Sequence, residues 1–395
     1  MLAARCFQIQ PSPTVELSAH IAELRAEGVD IISFNIGEPD FSTPQYVKEA
    51  AFDAINKNFT KYPPANGYPD LRKAIAQKLK RDNNVTYDPS EIVVTNGAKQ
   101  AVMNALLAVC DVGDEVIVPV PCWVSYTEMV KLAGGTPVLV EVDEKNGYAL
   151  DIDAIKRAIT PKTKAIVINT PNNPTGAVYS EDSLRKLAKL AISNEFVIIS
   201  DEIYEKMVYG SKKHFSVASV EGARDFCVTI NGFSKAYAMP GWRLGYSAAP
   251  MSITKPMKAF QSQMTSGACS ISQKAGCAAL LGPQDELYSM VAAYDKRRQA
   301  LLKRLNEIPG VKCSDVEGAF YFFPDVTALF GRKYDGKEIK NSLDLANFLL
   351  SEAHIAVVPG EAFNGPGKLR LSYANSLENL MEGMDRFAMA VKKLD

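Results

Sequence analysis

Between about residues 90 and 250, short runs rich in Val, Ile and small residues alternate with longer stretches of helical period. Alternation of this kind marks a mostly parallel sheet with helices on its faces. Seven strands are predicted: Ile92–Thr95, Val116–Val120, Pro137–Val142, Ala165–Asn169, Phe196–Ser200, Val228–Asn231 and Leu244–Ala248. Most are apolar at every position, not every second one, which requires burial on both faces. Past Pro283 the pattern changes. A long charged helix from Asp285 to about Ile308 stops at Pro309-Gly310 and leads to predicted strands at Ala319–Phe323, Ile355–Val358 and Leu369–Tyr373. The last helix carries Leu377, Leu380, Met381, Met384, Phe387, Ala388 and Val391, one apolar face at helical spacing. A proline-broken start with a helix near Val15–Glu27 is expected to pack on this C-terminal part or across a dimer interface. The chain therefore divides into an N-terminal segment (residues 1–45), a large α/β domain (46–290) and a smaller α+β domain (291–395).

Composition narrows this picture without redirecting it. The 395 residues are 47% hydrophobic and 23% charged, a globular balance with ample material for a core. A formal net charge of -1 gives nucleic acid or an anionic membrane no electrostatic reason to bind, so any anion must meet a local basic site. The seven cysteines are odd in number and form no C-x-x-C pair, so neither a disulfide frame nor a metal site is expected. No apolar run precedes a small-residue cleavage site at the start, and no later run has the length of a membrane span. A cytoplasmic protein is expected.

Ligands of parallel sheets sit at the carboxyl ends of the strands, and unusual residues fall there. Asn231-Gly-Phe-Ser-Lys-Ala-Tyr-Ala-Met-Pro-Gly-Trp-Arg-Leu-Gly245 places Lys235 between a buried strand and a Gly-rich turn. A lysine is ordinarily a solvated surface residue; desolvation here would lower its pKa toward the neutral amine that attacks aldehydes, so Lys235 is a candidate Schiff-base former. Phe196-Val-Ile-Ile-Ser-Asp-Glu-Ile-Tyr204 runs straight into Asp201. That carboxylate suits either a helix N-cap or a partner for a pyridine nitrogen, with Tyr204 in reach of a ring hydroxyl. Asn169-Thr-Pro-Asn-Asn-Pro-Thr-Gly176 is a rigid turn that would present Asn173 above the sheet. At Thr95-Asn-Gly-Ala-Lys-Gln100 a strand passes into a helix, so the free N–H groups of Gly97, Ala98 and Lys99 form a phosphate cradle.

Taken together and in this order, the four segments resemble the pyridoxal-phosphate enzymes of fold type I, specifically class I and II aminotransferases of the aspartate aminotransferase kind. The likeness runs from Gly37-Glu-Pro-Asp40 and Lys61-Tyr-Pro-Pro64 to Arg370-Leu-Ser-Tyr373. The resemblance implies that Lys235 is the Schiff-base lysine and proton carrier, that Asp201 pairs with the pyridine nitrogen, and that Tyr204 and Asn173 bond the ring oxygen. It makes Trp123 the aromatic stacked on the ring, and Ser234, Arg243 and the Gly97–Lys99 turn the phosphate site. Tyr62 would reach the phosphate from a neighbouring subunit, which implies a homodimer. Arg370 would clamp the substrate α-carboxylate with the Gly37 N–H closing over it. The implied reaction moves an amino group from an L-amino acid to a 2-oxo acid in ping-pong order.

Within that family the chain looks most like the bacterial aspartate aminotransferase subgroup, where a lysine at the position of Lys99 is associated with acidic substrates. Members that also accept prephenate carry a lysine before Pro-Ser where this chain has Gln10, and the family's first phosphate-binding serine is here Gly232. Aspartate with 2-oxoglutarate is therefore the expected pair, ahead of alanine, aromatic substrates or prephenate. A carbon–sulfur lyase on the same scaffold would keep nearly all these residues and would need no keto-acid acceptor. A DNA-binding regulator has no room for its added module. A dinucleotide-dependent dehydrogenase lacks G-x-G-x-x-G after the first strand.

Overall fold

The computed structural model describes residues 2–395. All seven predicted strands form, within one or two residues of the expected bounds: β1 Ile92–Thr95, β2 Glu115–Val120, β3 Thr136–Glu141, β4 Thr163–Asn169, β5 Val197–Asp201, β6 Cys227–Gly232 and β7 Gly245–Ala248. They make one sheet in the order β1-β7-β6-β5-β4-β2-β3. Every pairing is parallel except the two made by β7. The parallel strands thus deliver their carboxyl ends to one side.

Continuous apolar sequence has the consequence expected of it. β1 is buried at every position and β2 and β5 at every position after the first, and two apolar clusters cover the opposite faces of the sheet. The edge strand β3 is the one most open to solvent, with Leu139 exposed and Val140 buried. Among the described residues no helix is long and apolar enough to cross a membrane.

A second core forms around the C-terminal elements. Val358–Pro359, Leu369–Ser372 and Tyr321–Phe322 make a three-stranded antiparallel sheet with Leu369–Ser372 in the middle. The predicted strand Ile355–Val358 breaks in two. Its first half, Ile355–Ala356, pairs in parallel with Ile32–Ser33, so the N-terminal segment is stitched to the C-terminal part. The closing helix Leu377–Val391 buries Leu380, Met384, Phe387 and Val391 on one face. Helix Asp285–Asn306 runs unbroken through residues 290 and 291. The change from one core to the other therefore happens along a rigid rod, not at a flexible linker.

Candidate active site

A cleft of about 610 Å³ opens at the carboxyl ends of the parallel strands, between the sheet and the C-terminal core. Gly37, Ala98, Lys99, Trp123, Asn173, Asp201, Tyr204, Ser234, Lys235, Arg243 and Arg370 all line it. Residues from both ends of the chain thus meet in one place. Two predicted members do not line it: Gly97 lies just behind, and Tyr62 is 93% exposed on the surface.

The floor is set by strand register. Asn169 of β4 lies beside Asp201 of β5, and the Asn169 side-chain amide donates to the Asp201 carbonyl at 2.9 Å. The Asp201 carboxylate accepts from the Tyr126 hydroxyl at 2.7 Å and from the Ile203 N–H at 3.1 Å. Asp201 caps no helix; the contact to Ile203 is a local turn, which disposes of the N-cap alternative. Burial pushes the Asp201 carboxyl up to about 6, opposed by these two hydrogen bonds. A carboxylate held under such tension gains from a positively charged partner. Tyr204 follows on the same turn, its hydroxyl 2.9 Å from that of Tyr321 and its ionisation pushed far up by burial.

Below this turn Glu202 and Glu205 sit in a buried net. Glu202 accepts from Ser200 at 3.1 Å and Ser216 at 2.7 Å, and meets a His214 ring nitrogen at 3.0 Å. Asn83 donates to Glu205 at 2.8 Å, and Lys78 pairs with the same carboxylate. Glu202, Glu205 and His214 come within 4.8 Å of one another, but protein donors already fill the space between the two carboxylates. The net fixes the backbone that carries Asp201 and Tyr204.

Lys235 leaves the end of β6 and donates its ammonium to the Gly37 carbonyl. Burial draws its pKa down from 10.5 to about 8; Glu38 opposes this, and Arg370 and Arg243 add to it. The turn that follows holds Ala238 and Arg243 at φ 48° and 51°, left-handed conformations that cost a residue with a Cβ. That geometry brings the Arg243 guanidinium back over Gly97, where an added Cβ would stand 2.6 Å from Nη2. Arg243 could yield at its flexible end, so it is the φ of 80° at Gly97 that calls for a residue without a Cβ.

The phosphate cradle needs one correction. The Gly97 N–H is not free; it turns back onto the Thr95 carbonyl at 2.9 Å. Helix Ala98–Val109 starts one residue later, so the free first-turn N–H groups begin at Ala98 and Lys99. With Ser234 and the exposed Arg243 they line one end of the cleft, a set of donors suited to an anion. Lys99 is exposed at the rim, its ammonium 4.8 Å from the centroid of the half-buried Trp123 ring; partial burial and then Arg243 lower its pKa.

Arg370 is 3% exposed in the central strand of the C-terminal sheet. It donates to the Asn35 carbonyl at 2.6 Å and the Asn173 side-chain oxygen at 3.3 Å, and its Nε has no partner. Both acceptors are neutral, and burial lowers its pKa. Its guanidinium lies 4.7 Å from the Tyr321 ring centroid and 4.9 Å from that of Phe363. A buried cation without a protein anion is costly unless a ligand supplies the charge.

Sequence reasoning missed Tyr126, Tyr321 and Asn35, all of which line the cleft. Tyr126 was marked by its place one helical turn past Trp123. Tyr321 and Asn35 carried no local signal, because only the folding together of the two chain ends brings them here.

The aminotransferase class I and II family matches residues 29–387. The chain is 45% identical to a probable aspartate/prephenate aminotransferase of Aquifex aeolicus, over 100% of this chain and 99% of that one. It is 44% identical to an aspartate aminotransferase of Bacillus subtilis, over 99% of both. An aspartate aminotransferase of Thermus thermophilus solved with maleate superposes with a TM-score of 0.94 at 43% identity, again over 99% of both chains. The chain belongs to the class I and II aminotransferases. Its fold is that of the pyridoxal-phosphate transferases of fold type I, and the family implies dependence on that cofactor.

Proposed function

We propose that this aminotransferase moves the amino group of aspartate to 2-oxoglutarate, using the cleft around Lys235. One observation carries this reading: a buried amine drawn toward neutrality and a buried arginine with no anion of its own face the same cleft.

The residues fit pyridoxal phosphate. Ala98, Lys99, Ser234 and Arg243 would hold the phosphate, Asp201 the pyridine nitrogen, and Tyr204 with Asn173 the ring oxygen. Trp123 would cover the ring face and Lys235 would carry the cofactor. When bound, the group supplies an aldehyde that condenses with amines and a ring that takes up the electrons left by a departing α-proton. The rest is the chain's own work. Asp201, strained by burial, holds a positive charge opposite it in place. Arg370 grips the α-carboxylate with its planar fork, and the Gly37 N–H closes over the same group. With pKa near 8, roughly a tenth of Lys235 Nζ is neutral at pH 7, and in that form it accepts the α-proton of the bound amino acid. Amino acid and 2-oxo acid occupy the cleft in turn, so the cycle is ping-pong.

Aspartate is favoured by the relatives' names, by the dicarboxylate maleate in the Thermus structure, and by Lys99 at the rim. Gln10 is uncharged and exposed, which speaks against prephenate. Tyr62, exposed and outside its own chain's cleft, supports a homodimer with sites shared across the interface. The segment 1–45 would then move with the small domain 291–395 against the large domain 46–290. The free state of all seven cysteines accords with a cytoplasmic location. The decisive experiment is Lys235→Ala. It should abolish both aspartate:2-oxoglutarate transamination and the absorbance band that depends on linkage of the cofactor to the lysine; retention of both overturns the assignment.

A further inference from the structure

Tyr321 stands where three working parts of the cleft meet. It is opposite Ser372 in an antiparallel pair, and Ser372 is two residues from Arg370 on the same strand. Cross-strand partners share a face, so Tyr321 and Arg370 are diagonal neighbours on one side of the sheet. This explains the guanidinium over its ring at 4.7 Å. At the other end its hydroxyl lies 2.9 Å from that of Tyr204, and a Cβ on Gly37 would come within 3.2 Å of it. Both tyrosines are buried.

We propose that Tyr321 is a positioning residue with two ends: its ring supports the α-carboxylate arginine, and its hydroxyl points the Tyr204 proton at the cofactor's ring oxygen. The inference rests on the proposed function and deepens it. Each phenol has one proton and can also accept. Between two buried hydroxyls at this distance only one proton lies in the shared bond. If Tyr204 donates to the ring oxygen, Tyr321 must donate to Tyr204, and a donor that itself accepts a hydrogen bond is the stronger for it. The same side chain therefore serves substrate binding and cofactor tuning.

The test compares Y321F with Y321L in the holoenzyme. Y321F keeps the ring and removes the hydroxyl. Weaker donation stabilises the negative ring oxygen less, so the pH midpoint of the visible absorbance change should rise by about half a unit to one unit. KM for aspartate should stay within about twofold because the face under Arg370 is retained. Y321L removes both ends, and KM should rise roughly tenfold in addition. An unmoved midpoint in Y321F overturns the proposal, as does an unchanged KM in Y321L. If Y321L does not fold, the Y321F midpoint alone decides. A wild-type protein with no cofactor absorbance would defeat the proposed function and this inference together, an outcome distinct from a normal band that Y321F leaves in place.

Discussion

The wall and the rim of the cleft use the same two kinds of cation in opposite ways. Lys235 and Arg370 are ringed by protein, and burial lowers the pKa of both. Lys99 and Arg243 reach the same space from exposed positions, one beside the Trp123 ring and the other from a left-handed turn. A charge in the wall is expensive and persists only where it does chemistry or meets a ligand charge. A charge at the rim costs little and is screened by solvent. The wall therefore sets what reaction is possible, and the rim sets which anions are drawn in and how strongly.

The largest effect expected from this contrast is at Asp201. Asp201→Ala removes the one carboxylate on the floor and should lower kcat/KM by about 3–5 kcal/mol, two to three orders of magnitude or more. Steady-state assays of the holoenzyme would measure it. A loss of only about threefold would mean that the wall is not where the reaction is set.

Next is a stability effect confined to the wall. The folded pKa of Lys235 lies below its ordinary value, so the cost of burying the ammonium is fully present below about 8 and fades as pH rises toward 10.5. In the cofactor-free protein, Lys235→Met should be more stable than the parent by about 3 kcal/mol near neutral pH, and this advantage should shrink above pH 8. Denaturant titrations at several pH values would read it. An advantage that does not change with pH would show that the buried amine pays no such cost. The same substitution at Lys99 should give a pH dependence of the same sign but smaller, since that side chain is largely exposed and its pKa is lowered only by partial burial and Arg243.

Arg370→Lys then separates shape from charge in the wall. The charge stays but the two-pronged fork is lost, and kcat/KM for aspartate should fall by about 1.5–3 kcal/mol. Should the lysine variant match the parent, the α-carboxylate is held elsewhere.

The wall was far more legible in the sequence than the rim, for a physical reason. Apolar strands ending in a charged residue give a local pattern, so Asp201, Lys235 and Asn173 could be read from their own segments. So could the seven strands that carry them. The bounds slipped by a residue or two where pairing, not apolarity, decides the end, as at Asp201, which proved to be the last residue of β5. The Gly97 N–H was misjudged because its direction depends on a backbone angle, φ 80°, that composition does not reveal. Tyr321 and Asn35 were invisible, since they reach the cleft only when residues 32–33 pair with 355–356 and the two chain ends close together. The expected strand at Ile355–Val358 likewise divided because its two halves serve different partners.

The smallest effect falls at the rim, and it tests substrate choice. Lys99 is the cation proposed to meet a distal carboxylate, so Lys99→Ala should harm aspartate more than alanine, which has none. A buried charged bond would be worth about 1.5–3 kcal/mol. Lys99 is exposed, and solvent screening reduces the selective loss to about 1 kcal/mol, roughly fivefold in the ratio of the two kcat/KM values. The loss should shrink further as salt is added, whereas the Arg370→Lys loss should hardly respond, because the wall is shielded from counterions. Equal losses for aspartate and alanine would remove Lys99 from the recognition of the distal carboxylate. A salt-independent difference would instead place its ammonium within the closed site, and so move it from the rim to the wall.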